Sequence, residues 1–228
     1  MRRRAVTIIA AALAVAIVPA GCSPTEADVL NVDDSGTTTI DNEAMVDAVN
    51  AMHASTIDDK EIAGILFMRE EEKLARDVYA QLHDIWGTNI FGNIASSEQT
   101  HTDAVKSLIE KYGLDDPAEG QDVGVFTNDT LQQLHDDLIA QGNLSKVDAL
   151  KVGAAIEEID IIDIEKYAAE TDNEDIQLVY ENLIKGSRNH LRSFVSVLEK
   201  RGITYEPQYL DEVAFNAILT SDMERGGR

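Results

Sequence analysis

Several segments of this chain have the apolar periodicity of a helix. Acidic or imidazole side chains interrupt each of these segments near its middle. Glu98 and His101 are three residues apart, a spacing that places both side chains on one face of a helix. Three other segments, in which apolar or aromatic residues recur every three or four positions, are interrupted in the same way. Those interruptions are Glu72, Glu157, and the pair Ser187 and His190. Carboxylates and imidazoles without thiolates suit iron, manganese or zinc, so the pattern predicts a transition-metal site.

The interruptions fall at matching depths along the predicted helices. Glu72 lies 14 residues before Trp86, and Glu98 lies nine residues after Asn89, so a rise of about 1.5 Å per residue puts them at similar levels. Burying several carboxylates together costs several kcal/mol per ion, and no lysine or arginine stands on these helix faces before Arg201. A bound cation, as one ion or as two, is therefore the simplest explanation.

Three nearby residues are further candidates for the site. Glu71 competes with Glu72 for the role of ligand, because both belong to one acidic run. Asp160 lies one turn beyond Glu157 and is a further candidate ligand. Tyr79 is a core residue by default, and as a catalytic residue it would donate a hydrogen bond or an electron near the site.

Other imidazoles and carboxylates are expected at the surface. His53, His83 and His135 fall off the apolar faces, and Glu70 begins an acidic run of a kind that is usually solvated. A single core histidine such as His190 is more often a hydrogen-bonded packing residue than a ligand. Its place in the same layer as the three glutamates favours the metal site over an inert bundle.

Composition restricts the class of partner. The 228 residues are 44% hydrophobic and 27% charged, and 42 acidic residues against 19 basic ones give a net charge of -23. Such a field repels nucleic acids and anionic lipid headgroups and attracts cations. With Cys22 as its one cysteine, the chain has no thiolate cluster and no internal disulfide.

Helical periodicity and capping signals predict an all-α fold. The predicted helices run over Asp41–Met52, Ser55 or Thr56 to Trp86, Asn89–Gly113, Thr130–Ala140, Ser145–Glu170 and Asp172–Gly202, with a last short one after Pro207. Short connections make two antiparallel hairpins, and about 30 residues between them form a long crossover. Two hairpins joined by one crossover is the connectivity of a ferritin-like four-helix bundle, here with short accessory helices.

The N-terminus is expected to direct export. Three arginines precede an apolar run from Ala5 to Val18, and Pro19–Cys22 is similar to a bacterial lipobox, in which Cys22 would be lipidated. We therefore predict a signal over residues 1–22, a flexible tether over 23–42 and a helical domain over 43–228. The protein would be anchored by lipid to the bacterial cell membrane, facing outward; an ordinary cleaved secretory signal is the alternative.

Four ordered stretches of the chain are similar to the motifs of the bacterial and archaeal domain-of-unknown-function family 2202, which belongs to the ferritin-like superfamily. These stretches are residues 67–79, 97–101, 152–158 and 186–191. Glu72 followed by Tyr79 also resembles the Glu-x6-Tyr of the first helix in ferritins and rubrerythrins, which favours Glu72 over Glu71 as ligand. The resemblance implies a non-haem di-iron site with oxidase or ferroxidase chemistry toward oxygen or peroxide.

One departure from this pattern concerns the second Glu-x-x-His motif. Ser187 stands where relatives with six ligands carry a glutamate, so one bridging carboxylate is missing, and Asp160 or water would take its place. The expected function is that of an exported iron protein, with manganese or zinc as other metals that fit. The alternative function is a metal-free helical interaction or sensor module at the cell envelope.

Replacing Cys22 tests the predicted anchor. Cys22→Ser removes the thiol that would be acylated, so the variant should move from the membrane fraction to the soluble exported fraction, measured by fractionation and immunoblotting. Equal distributions of the variant and the unaltered protein would rule out the lipid anchor.

Overall fold

The computed structural model describes residues 29–33 and 36–225, and the predicted export signal with Cys22 lies outside this range. The described chain is mainly helical, which confirms the all-α prediction. Its strands are β1 (Leu30–Val32) and β2 (Thr38–Ile40); its helices are α1 (Asn42–Ala51), α2 (Asp59–Trp86), α3 (Asn89–Tyr112), α4 (Asp129–Gly142), α5 (Lys146–Ala168), α6 (Glu174–Glu199) and α7 (Glu212–Thr220). None of these helices is both long enough and apolar enough to cross a bilayer.

Capping residues account for the ends of the longest helix. The Asp58 carboxylate accepts hydrogen bonds from the backbone N–H groups of Lys60 and Glu61, and the Glu61 carboxylate accepts one from Asp58 N–H in return. This capping box starts α2 at Asp59, slightly later than predicted from Ser55 or Thr56, because it satisfies three otherwise unpaired N–H groups. The helix ends at Trp86 and is capped by Gly87, whose φ of 59° lies in the left-handed region.

The four long helices pack around one another. Helix α2 contacts α3 and α5, and α6 contacts the same two helices. Neighbours are antiparallel, as two contacts show: the ring of Phe67, early in α2, lies 5.5 Å from the ring of Tyr167 at the end of α5, and Tyr112 at the end of α3 donates a hydrogen bond to Asp175 at the start of α6. Helix α4 lies in the connection between α3 and α5 and packs on α2 and α5.

A polar layer divides the apolar core into two clusters. One cluster surrounds Leu82, Phe91 and Phe194, and the other surrounds Ile65, Leu108 and Leu183. Along each long helix the predicted polar interruptions fall between members of the two clusters. The bundle therefore has apolar packing above and below its polar residues.

The prediction of a flexible tether over residues 23–42 is wrong for the described part of that segment. Strands β1 and β2 pair antiparallel, with Leu30 opposite Ile40, and β2 packs against α3 and α6. Val29, Thr38 and Ile40 are buried. Three-residue strands give too short an alternation to stand out among Ser, Thr and Asp, and their burial depends on helices far away in sequence.

Glycine 153 permits the close packing of α5 on α6. A Cβ at this position would overlap the ring of Phe194. In Gly153→Ala, overpacking should cost about 1–3 kcal/mol, and the better helix propensity of alanine should recover about 0.8–1 kcal/mol of this. The free energy of unfolding should therefore fall by up to about 2 kcal/mol. Gly92→Ala is the matched control, since the atoms nearest to its Cβ belong to the half-buried side chain of His83. In the control, the helix propensity of alanine, about 0.8–1 kcal/mol better than that of glycine, should offset the contact. Urea denaturation measures both; equal stabilities would contradict the packing argument.

Candidate metal centre

The Glu98 carboxylate lies between two buried imidazoles. Its Oε2 atom is 2.8 Å from Nδ1 of His101, one turn further along α3, and its Oε1 atom is 2.8 Å from Nδ1 of His190 on α6. The two imidazole rings face each other with centroids 5.4 Å apart and planes 17° apart. One carboxylate is thus shared between two nitrogen donors from two helices.

Each imidazole also faces a carboxylate of its own. Oε2 of Glu72, on α2, lies 3.4 Å from Nδ1 of His101, and Oε2 of Glu157, on α5, lies 3.7 Å from Nδ1 of His190. All five side chains are at most 1% exposed. The structure therefore brings together the five acidic and imidazole residues that interrupt the apolar faces, one or two from each long helix.

Tyr79 orients one of these carboxylates. Its hydroxyl donates to Oε1 of Glu157 over 2.6 Å and also lies 3.1 Å from the carbonyl oxygen of Gly153. Burial, together with the charge of Glu157, raises the pKa of this phenol well above its usual value. Tyr79 therefore remains a hydrogen-bond donor at physiological pH.

Glu71 and Asp160 are buried beside the layer. The pKa of Glu71 is raised by burial and by the approach of Asp163, and the pKa of Asp160 is raised by burial and by the charge of Glu71. Glu72, and not Glu71, faces the imidazole of His101. Sequence analysis missed Asp163, although its spacing of three residues from Asp160 was a signal that could have found it.

Electrostatic interactions shift the pKa values of the residues in this polar layer. Burial alone would raise the pKa of Glu98, but the two imidazoles outweigh it and hold that pKa below its usual range. Burial would lower the pKa of His190, yet Glu98 and Glu157 raise it to about 9. Burial also raises the pKa of Glu72 to about 8 and that of Glu157 to about 7, each against the opposing influence of an imidazole. Without a cation, protons must neutralise this layer.

The donor atoms fit a metal ion. Although several of these atoms lie close to one another, the following buried atoms are not joined to a partner in the described chain by a hydrogen bond of suitable geometry: both oxygens of Glu72 and Glu98, both ring nitrogens of His101, Oε2 of Glu157 and Nδ1 of His190. An unsatisfied buried polar group costs about 1–3 kcal/mol. Ligand atoms of Glu98, His101 and His190 all lie within 4.8 Å of one another, so this buried group could hold a metal ion. Oxygen and imidazole donors suit iron, manganese or zinc.

Gly186 makes room for one imidazole. A Cβ at this position would lie 2.6 Å from Nε2 of His101. Helix α6 continues through this point from Glu174 to Glu199, so the glycine serves close packing within an unbroken helix. The neighbouring Ser187 is buried, and its hydroxyl donates to the carbonyl oxygen of Leu183.

Comparison with known proteins identifies the family. Residues 61–222, which are 162 of the 228, match the family described as "Uncharacterized protein domain (DUF2202)". The chain belongs to the DUF2202 family. It is 50% identical over 182 residues to the protein described as "Uncharacterized protein MJ0754" of Methanocaldococcus jannaschii, which covers 80% of this chain and 98% of that protein. The crystal structure of hypothetical protein MJ0754, under the organism name Methanococcus jannaschii DSM 2661, matches with a TM-score of 0.74 and 51% identity. That match covers 76% of this chain and 99% of the other.

Two surface predictions for this DUF2202 chain are wrong. His135 is 6% exposed, with Nε2 2.8 Å from the Gln81 amide nitrogen, and Glu70 is 3% exposed and accepts hydrogen bonds from Thr127 and Asn128. The connection between α3 and α5 covers this side of α2, which the helical period alone does not reveal. His53 is exposed as predicted, and His83 is half-buried.

The shifted pKa values predict pH-dependent metal binding. His190 and Glu72, with pKa values of about 9 and 8, hold protons at pH 7 that a cation must displace. The affinity for Zn²⁺ should therefore rise between about pH 6 and pH 9, by about tenfold per pH unit for each net proton released. Isothermal titration in two buffers with different ionisation enthalpies measures the proton release. An affinity that does not change with pH would contradict this electrostatic description.

Proposed function

We propose that this DUF2202 protein is a ferritin-like metalloprotein that binds transition-metal ions, iron before manganese or zinc, between its four long helices. The observation that carries the proposal is the position of Glu98 between two imidazoles, each with a second carboxylate of its own. Glu72, Glu98 and His101 would hold one ion. Glu98, Glu157 and His190 would hold another, with Glu98 shared.

The arrangement of helices supports the ferritin-like assignment. Because α2 and α6 are each antiparallel to α3 and α5, the helices α3 and α5 run in the same direction. The chain between Gly113 and Ser145 must then return along the length of the bundle. Ferritin-like bundles have this connectivity, and bundle dimetal sites take a glutamate from each of two helices and Glu-x-x-His from the other two.

Asp160 would compensate for the missing second bridge. Ser187 occupies the position three residues before His190, where a second Glu-x-x-His motif would have its carboxylate. Asp160 is buried near Glu72 and Glu157, whose charges add to the rise of its pKa, and its Oδ2 lacks a hydrogen-bond partner among the described residues. We therefore assign Asp160 to the ligand set, where it would add one negative charge.

Iron bound by carboxylates and imidazoles supplies one-electron chemistry toward oxygen or peroxide, and the proposed activity is that of an oxidase or ferroxidase. The described residues contribute a site that is at most 1% exposed, which limits access of bulk water. Tyr79 keeps Glu157 in one orientation through its hydrogen bond, and from this position beside the ligands it would donate a hydrogen bond or an electron.

We further propose that the protein is exported and anchored through Cys22. Support comes from the three arginines and the apolar run from Ala5 to Val18 that precede this cysteine. The net charge of -23 favours cations as partners in any compartment.

Metal content after single substitutions tests the proposal. Glu98→Gln keeps the shape of the side chain and removes the shared charge. Loss of an outer-shell partner alone costs about 10–100-fold in affinity, so loss of this ligand should reduce bound iron to about one tenth or less. Metal analysis after dialysis and the rate of Fe²⁺ oxidation in air provide the measurements.

Glu165→Gln is the matched control, because it neutralises an exposed glutamate on α5 and should leave metal content unchanged. Absence of stoichiometric metal from the unaltered protein, after exposure to both iron and manganese, would refute the proposal. That result would favour a metal-free interaction or sensor module.

A further inference from the structure

A surface cavity of about 360 Å³ lies where the start of α3 meets the end of α6. The two helices are antiparallel, so the first two turns of α3 and the last turns of α6 form opposite walls. The N-terminal hairpin, which is β1 and β2 with their connection, contributes Thr37, and the C-terminal segment contributes Met223. Small-molecule sites usually have volumes of about 300–1,000 Å³, so this cavity is large enough for a small ligand.

Hydrogen bonds and packing hold the two terminal segments that form part of the wall. Asn189 of α6 donates from Nδ2 to Oγ1 of Thr38 over 2.9 Å and to the carbonyl oxygen of Glu224 over 2.8 Å. The backbone N–H of Glu224 donates in return to Oδ1 of Asn189 over 2.9 Å. A Cβ at Gly36 would lie 2.6 Å from Cε of Met223, so the hairpin and the C-terminal segment also pack on each other. The cavity is therefore largely pre-formed, as ligand sites usually are.

Apolar side chains line the inner part of the cavity. Ile90 and Ile94 lie one turn apart on α3, and Val197 lines the cavity from α6. Ile94 is 1% exposed, and Ile90 and Val197 are half-buried. Burying methylene groups against such side chains is favourable. This part of the cavity therefore suits an apolar group.

Exposed polar side chains line the outer part. Asn89 and Asn93 lie one turn apart on α3, and Lys200 directly follows the last residue of α6. Lys200 forms no salt bridge with any residue that the structure describes. Arg192, the other basic residue of the lining, is paired with Glu224 over 3.1 Å. The ammonium of Lys200 and the two carboxamides are thus free to bind an anion.

The lining of this cavity contains no carboxylate. The chain has 42 acidic residues against 19 basic ones, and four other surface cavities among its described residues each include at least one aspartate or glutamate. An anion is repelled by most of such a surface and attracted only where basic groups predominate. The combination of an apolar inner part and one unpaired ammonium fits a molecule with an apolar body and a single negative charge.

We propose that this cavity binds a small amphipathic carboxylic acid, whose carboxylate contacts Lys200 and whose apolar chain lies against Ile94 and Val197. The cavity is about one helical turn from the candidate metal centre, because Ile94 comes four residues before Glu98 on α3. Binding of the acid needs no metal ion, so the proposal stands apart from the proposed function.

Calorimetric titration with butanoate, pentanoate and hexanoate tests the ligand class. Affinity should rise about fourfold with each added methylene, the factor that corresponds to burying one CH₂ group. Hexylammonium has the same chain and the opposite charge, so it should bind more weakly than hexanoate. Hexylammonium binding as tightly as hexanoate, or a failure of hexanoate to show saturable binding, would overturn the proposal.

The same titration before and after treatment with a chelator separates this cavity from the metal centre. A carboxylate that binds a metal ion loses its affinity when the ion is removed, whereas binding in the cavity should be the same in both samples. Hexanoate binding that disappears with the metal would contradict the cavity as its site. Absence of metal from the protein, with hexanoate binding intact, would refute the proposed function alone.

Substitutions at Lys200 test the recognition of the carboxylate. Lys200→Gln should weaken hexanoate binding by about fivefold to tenfold, between the effect of an exposed ion pair and that of a charged hydrogen bond. Lys200→Glu should weaken it further through repulsion of like charges. Lys106→Gln is the matched control, because Lys106 is also an exposed lysine but lies on α3 outside the cavity. Equal affinities in Lys200→Gln and Lys106→Gln would refute the role of Lys200.

Nuclear magnetic resonance of the unaltered protein locates the bound acid without any substitution. Addition of hexanoate should shift the amide resonances of Asn93, Val197 and Lys200 and leave that of Lys106 unchanged. Ser196→Phe should block binding, because Ser196 lines the cavity from α6 and a phenyl ring there would fill it. Shifts confined to residues outside the cavity, or full hexanoate affinity in Ser196→Phe, would overturn the proposal.

Discussion

The burial of Glu98 between two imidazoles is the constraint on which the rest of the structure depends. A carboxylate removed from water costs several kcal/mol unless opposite charge and further ligands surround it. His101 comes from the same helix as Glu98, but His190 comes from α6, so satisfying Glu98 requires α3 and α6 to meet at this level. Glu72 and Glu157 place the same requirement on α2 and α5.

The apolar packing and the candidate metal site occupy different layers of the bundle. The apolar clusters around Phe194 and around Leu108 lie on either side of the polar layer and pack the helices against one another there. Glycines then adjust the distances between helices. Gly153 lets α5 approach Phe194, and Gly186 lets α6 approach the ring of His101. A rigid apolar frame of this kind fixes the separation of ligands that come from different helices.

The N-terminal hairpin lies between the candidate metal site and the segment that precedes the hairpin in the chain. Val29 follows only seven positions after Cys22, and a chain of that length spans at most about 25 Å. If Cys22 is lipidated as proposed, the bundle would be held close to the membrane surface. A tether ending at residue 42 would allow a longer distance between the bundle and the membrane. Contacts from Thr38 to Ser97 and Asn189 would then place the anchored end of the chain beside His190.

The sequence by itself determined the helices and the residues that share their inner faces. A helix repeats every 3.6 residues, so the polar interruptions at Glu72, Glu98, Glu157 and His190 could be assigned to one layer without coordinates. Only the tertiary structure decided what covers each side chain. The connection after α3 buries Glu70 and His135, and β2 reaches Ser97 and His190 from more than 50 positions away in sequence. Local periodicity describes the face of a single helix, whereas burial and hydrogen bonding at these residues arise from distant segments that pack against it.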